Sequence, residues 1–259
     1  MPDLKEAVKR ILPERKKTPP IISPAADAQR RLDMPCHVRN RRNEWRRWMS
    51  SCTTKQFESS EHPYFRHCGP TAITNMILTL NRRYHILTRS AVENGVKGRE
   101  KGRTGGELPK EGLVWYFPAA AKVFERVSRV GMRRGIYWNT DILHTFGGTY
   151  DILTGVYIKA CFRELGIEGF SVSRRLGSGP EDYLEALQEG SILYLQLHHD
   201  SCYGNHHVIC YGAVEVESMD HRHHRIYLEI ADGWARETRY LAVEDMSFTH
   251  FYAVRAKNG

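Results

Sequence analysis

The period of the hydrophobic pattern changes once along this chain of 259 residues, near Gly190, and that change restricts the fold more than any other feature. Ahead of it, apolar residues recur at helical spacing. Ile73, Met76, Ile77 and Leu80 fall at i, i+3, i+4 and i+7, which predicts a helix over residues 70–80 with one buried face. Residues 113–128 and 149–165 read as two further helices, the second stopped by Gly166, and Pro180 opens another that ends at Gly190. Beyond Gly190, residues 192–197, 208–216, 225–230 and 251–255 are short runs rich in Ile, Val, Leu and Tyr, parted by polar or glycine-containing turns. These are the marks of antiparallel strands. Helices first and strands second predict an α+β fold, with an N-terminal helical lobe against a C-terminal antiparallel sheet lobe and a groove between them.

Composition narrows the class. At 41% hydrophobic and 26% charged residues the chain has the makings of a globular core, which argues against collagen, repeat arrays and wholesale disorder. Its longest apolar runs, such as residues 192–195, fall far short of the roughly 18 residues of a membrane span. The opening Met1-Pro2-Asp3-Leu4-Lys5-Glu6 develops no apolar export signal, so the expected location is cytoplasmic. Six cysteines (Cys36, Cys52, Cys68, Cys161, Cys202 and Cys210) lack the short paired spacings of a zinc site or disulfide framework and read as free thiols.

The formal charge is +8, and residues 1–50 carry +7 of it, from thirteen Lys/Arg against six Asp/Glu. Together with prolines at 13, 19, 20, 24 and 35 and a helical spacing over residues 3–12, this divides the chain into a basic, Pro-rich arm, 1–40, and a folded domain, 41–259. Arg39, Arg41, Arg42, Arg46 and Arg47 flank Trp45 and Trp48 without a nucleic-acid-binding signature. The expected role is a solvated arm, with nucleic acid limited to a weak contact there. The pattern does not specify an oligomeric state.

Chemistry concentrates at three places. Cys68, in His67-Cys68-Gly69-Pro70-Thr71, stands where the best helix opens, and a helix N-terminus favours thiolate. His206 and His207 begin the strand that runs to Gly212, and Asp232-Gly233-Trp234 ends the next strand. An imidazole can take the thiol proton while a carboxylate fixes its tautomer. Adjacent strand residues face opposite sides, so only one of His206 and His207 can serve.

In Cys68-Gly69-Pro70-Thr71-Ala72, in His206 six residues before Gly212, and in Asp232-Gly233-Trp234, the chain resembles papain-like cysteine peptidases, specifically the bacterial bacteriocin-leader-processing (double-glycine) type. The resemblance covers roughly residues 56–255. It implies a papain-like fold, a peptide or protein substrate, no cofactor, and a Cys68–His206–Asp232 triad, with His206 selected over His207 by the spacing to Gly212. The family's oxyanion-donating Gln falls at His62, so an imidazole N–H, with the Cys68 main-chain N–H, is expected to hold the oxyanion. Trp234 is expected to shield the His206–Asp232 contact. Two further readings stand beside hydrolysis: a catalytically inactive binding protein on the same scaffold, and an acyl transferase using the same triad. Residues 198–207 pack four histidines, an aspartate and a cysteine into ten positions, which raises a metal site as a rival. No known zinc spacing matches, and a polar hairpin is the expected explanation.

Overall fold

The computed structural model describes residues 18–58, 66–88, 91–92, 116–142, 146–177, 179–246 and 249–257. Among the described residues there are helices α1 (Pro24–Leu32), α2 (Thr54–Phe57), α3 (Cys68–Tyr84), α4 (Tyr116–Arg133), α5 (Thr154–Glu164) and α6 (Pro180–Gln188), together with nine strands. These are β1 (Cys36–Arg42), β2 (Tyr137–Ile142), β3 (Phe146–Thr149), β4 (Phe170–Gly177), β5 (Ile192–Asp200), β6 (Gly204–Ser218), β7 (His224–Ala231), β8 (Arg239–Ala242) and β9 (Thr249–Ala256).

The architecture is α+β. Seven strands form one antiparallel sheet in the order β4-β9-β5-β6-β7-β8, and β1 joins it on β6. The 15-residue β6 carries the sheet: residues 206–210 pair with β5, and residues 213–218 pair with β1 on the same edge, beyond the reach of β5. At a bulge between Cys210 and Gly212 the main chain of Arg42 comes so near that a Cβ on Gly212 would lie 2.5 Å from its carbonyl oxygen. Gly212 is therefore required by packing.

Period-2 alternation sorts the strands onto two faces. Ile192, Tyr194, Ile209, Tyr211, Ala231, Tyr252 and Val254 look toward α3, α4 and α5 and share one core with them. On the opposite face Leu193, Leu195, Val208, Cys210, Ile230 and Phe251 pack on α6. Farther along β6 and β7, Val214, Val216 and Tyr227 bury Ala28 of α1. Helix α3 is the pivot of the helical layer, buried continuously from Gly69 to Asn81. Burial on every side places polar residues inside, and these hold chain rather than water: Asn75 exchanges hydrogen bonds of 2.8 Å with both main-chain groups of Cys52, and Thr79 accepts the Ser50 N–H at 2.9 Å. His85, at φ +52°, ends the helix with its N–H on Asn81.

The helix-then-strand order expected from hydrophobic period is broken in three places. Strand β1 and helix α1 fall within the residues read as an arm, so the boundary at residue 40 cuts through β1. The hairpin β2–β3 and strand β4 lie between helices, where exposed or polar alternation hides them, as in the Phe170–Gly177 sequence FSVSRRLG. Three arginines of the basic stretch are paired with the sheet: Arg39 with Glu217, Arg41 with the fully buried Glu229, and Arg42 with Glu215. The expected helix over 3–12 lies outside the described residues. No described helix is long and apolar enough to cross a membrane.

Candidate active site

Cys68 is the first residue of α3, half-buried where the helical layer meets the sheet. Two neighbours fix this helix start. On one side, Thr149 of β3 lies against Gly69 so closely that a Cβ there would sit 2.1 Å from its hydroxyl oxygen. On the other, Thr54 of α2 donates its N–H to the Gly233 carbonyl at 2.7 Å, and the Thr54 carbonyl meets the His67 ring at 3.1 Å. The first turn lacks internal acceptors, and Pro70 has no N–H. The N–H groups of Cys68 and Gly69 therefore turn to the sulfur, while the Thr71 N–H returns to His67.

The strand register decides which histidine lies on the face that covers that sulfur. His207 pairs with Gln196, and both lie on the face of Tyr194 and Ile209, the face that covers α3. The main-chain N–H of His207 points to the Cys68 thiol. Its ring packs on Tyr194 at 5.6 Å, and its Nε2 lies 3.2 Å from Asp151 Oδ1. A carboxylate only accepts, so the proton of a neutral ring sits on Nε2 and Nδ1 carries the lone pair. That Nδ1 is buried without a hydrogen-bond partner.

Asp151 begins a short 3-10 turn, Asp151–Leu153, ahead of α5. Gln196, buried beside His207, fixes that turn by donating through Nε2 to the Asp151 carbonyl at 2.8 Å and the Thr154 hydroxyl at 2.7 Å. Burial alone would raise the Asp151 carboxyl, but the bond and charge of His207 and the charge of His198, 3.5 Å from Oδ2, outweigh it and hold it below 3.8. At Cys68 burial prevails: it pushes the thiol up to about 11, opposed by the N–H groups of His207 and Gly69 and reinforced by the Asp151 charge.

The expected partners His206 and Asp232 are not brought to Cys68. His206 faces the α6 side, stacked on Tyr203 and 4.7 Å from the Trp234 ring, and its Nε2 donates to the main-chain carbonyl of Asp232 at 2.6 Å. The Asp232 carboxylate instead closes its own turn, accepting from the N–H groups of Trp234 and Ala235 at 2.8 and 3.0 Å and from the Tyr203 hydroxyl at 3.3 Å. Trp234 packs its ring on Tyr203 and His206 and is itself 46% exposed. The one-residue difference between His206 and His207 is a change of face, and the spacing to Gly212 carries no information about it, because the bulge beside Gly212 shifts the count. His62 lies outside the described residues.

Asp151 and Gln196 escape a reading of the sequence. Asp151 sits inside a stretch whose spacing reads as continuous helix, and Gln196 continues an apolar strand; the one signal at Gln196 is a polar residue on an otherwise buried run. The histidine-rich hairpin has the turn chemistry its composition suggests, with Asp200 Oδ1 capping the N–H groups of Cys202 and Tyr203 at 2.8 Å. Among the described residues no group of three or more His, Cys, Asp and Glu side chains is arranged to hold a metal ion.

Comparison of the chain with protein-family models, with curated proteins and with solved structures finds no match in any of the three.

Proposed function

We propose that this protein is a thiol hydrolase of peptide or amide bonds, with Cys68 as nucleophile, His207 as general base and acid, and Asp151 as the carboxylate that orients the imidazole. The observation that carries this reading is the setting of one residue: Nε2 of His207 is held by Asp151, its Nδ1 is buried without a partner, and its main-chain N–H points to the Cys68 thiol. In the reaction, Nδ1 takes the thiol proton as sulfur adds to the substrate carbonyl, and the resulting imidazolium faces the Asp151 carboxylate. The N–H groups of Cys68 and Gly69, which turn to the sulfur at rest, pass to the oxyanion as the carbonyl is attacked. The imidazolium then protonates the leaving amine, and the neutral ring draws a proton from the water that cleaves the thioester.

A papain-like identity belongs to the same proposal. It is supported by an α+β fold, a nucleophile at the start of a buried helix and an imidazole near the start of a central strand. The carboxylate departs from the resembled order of Cys, His, Asp, because Asp151 precedes the histidine strand.

A peptide bearing a thiol-reactive electrophile tests the reading. Labelling is expected at Cys68, abolished by Cys68→Ala, slowed about 10²–10⁴-fold by His207→Ala, the usual worth of a positioned base, and unchanged by His206→Ala. Equal reactivity of all six cysteines, or sensitivity to His206 in place of His207, defeats it. The second reading, a binding protein with an inert thiol, is favoured by one observation, the burial that raises the Cys68 thiol. It predicts saturable peptide binding with no thioester formed.

A further inference from the structure

The basic stretch that opens the sheet leaves a charge that neither the fold nor the thiol chemistry uses. Arg39, Arg41 and Arg42 are consumed by Glu217, Glu229 and Glu215. Arg46 shares Glu229 with Arg41, at 3.9 Å, while Arg47 and Arg83 have no carboxylate partner among the described residues. Together with Asn43 and Glu44 these three arginines line a cleft of about 680 Å³. We propose that this cleft is a binding site for a phosphate-bearing small molecule, gripped by the guanidinium groups of Arg46, Arg47 and Arg83.

Aromatic rings preset the geometry. The Arg47 guanidinium lies 4.7 Å above the Trp48 ring, and that of Arg83 lies 4.4 Å above Trp45 and 5.3 Å from Tyr84. Stacking occupies the flat faces of two guanidiniums and leaves their N–H edges to act as donors, in the planar fork that matches phosphate oxygens. Nη1 of Arg83 is already buried with no hydrogen-bond partner. A desolvated charged donor is costly to leave unmade, so the Arg83 guanidinium has an unmet demand for an acceptor. Three guanidiniums against the single carboxylate of Glu44 leave an excess of two positive charges, the complement of a phosphate monoester dianion. Trp45 is fully buried and the Trp48 ring is covered by Arg47, so the rings give a nucleobase no platform and recognition falls on the phosphate itself. Arg83 lies fifteen residues along α3 from Cys68, about 22 Å at 1.5 Å per residue, so this site is separate from the thiol site.

The test is calorimetric titration of the full chain with pyrophosphate at low and moderate salt. Saturable binding that weakens with salt is expected, with affinity falling at least about tenfold, the scale of one charge-assisted hydrogen bond, in Arg47→Ala and in Arg83→Met, and unchanged in Arg174→Ala, an exposed arginine of β4. Should Arg83→Met unfold the protein, Arg47→Ala alone decides, since Arg47 is exposed and outside the core. No saturable heat at millimolar pyrophosphate, or an equal loss in Arg174→Ala, overturns the proposal.

Discussion

At the scale of single residues, His206 and His207 show how one chemistry takes two roles from two surroundings. Burial, only partly offset by the bond to the Asp232 carbonyl, lowers His206 from 6.5 to about 4. The unfolded chain therefore takes up this proton first, so the contribution to stability is complete above 6.5 and is lost as pH falls toward 4. Between pH 7 and pH 4.5 this one ring is expected to cost about 2 kcal/mol of stability. Urea denaturation at the two pH values checks it: His206→Gln, which keeps a donor for Asp232 and does not titrate, is expected to lose less on acidification, and an equal loss refutes the assignment. At Cys68 the thiol is raised to about 11, so the resting sulfur is a thiol rather than a standing thiolate. Alkylation of Cys68 by iodoacetamide is accordingly expected to keep climbing above pH 9, whereas a plateau below neutrality reveals a preformed thiolate.

At the scale of elements, the thiol's position depends on a contact between α3 and a hairpin that hydrophobic period does not reveal. Gly69 lets β3 approach the first turn of α3, and any side chain there displaces Thr149. Gly69→Ala is expected to destabilise the fold by about 1–3 kcal/mol, as overpacking does, and to reduce Cys68 labelling, because the hairpin leads directly into the Asp151 turn. Thermal melting and the electrophilic peptide read the two effects separately. An unchanged melting point shows that the hairpin yields freely. The residues 70–80 spacing locates α3 because its length and caps agree with its burial. Strand β1 defeats the same method: CHVRNRR has no apolar alternation, and it is a strand because β6 offers an unpaired edge and because Glu215 and Glu217 of β6 and Glu229 of β7 meet its arginines.

At the scale of the whole molecule, residues 24–42 are a structural part of the sheet. Asp27 on α1 is bonded by Arg30, Arg31 and the Tyr227 hydroxyl, and Arg41 faces Glu229, whose carboxyl is raised by burial against the pull of Arg46 and Arg41. A chain beginning at residue 43 therefore loses the β1 partner of β6 and one of the two guanidiniums beside a fully buried glutamate, the other being Arg46, at a cost of about 1–3 kcal/mol for the partner removed. It is expected to self-associate along the bared β6 edge. Gel filtration and denaturation of the truncated chain check this, and a stable monomer of wild-type stability contradicts it.

Local chemistry alone determined the buried helix with Cys68 at its head, the four longest C-terminal strands and the α+β class, because each depends on a periodicity written in neighbouring residues. The partner of the thiol was a tertiary decision. Which of two adjacent histidines faces α3 depends on strand register and a bulge. The carboxylate that holds it comes from a turn 56 residues earlier in the chain, brought alongside by Gln196 on the neighbouring strand. Sequence patterns encode which face of an element is apolar, and only the packed sheet sets which polar groups from distant elements meet across it.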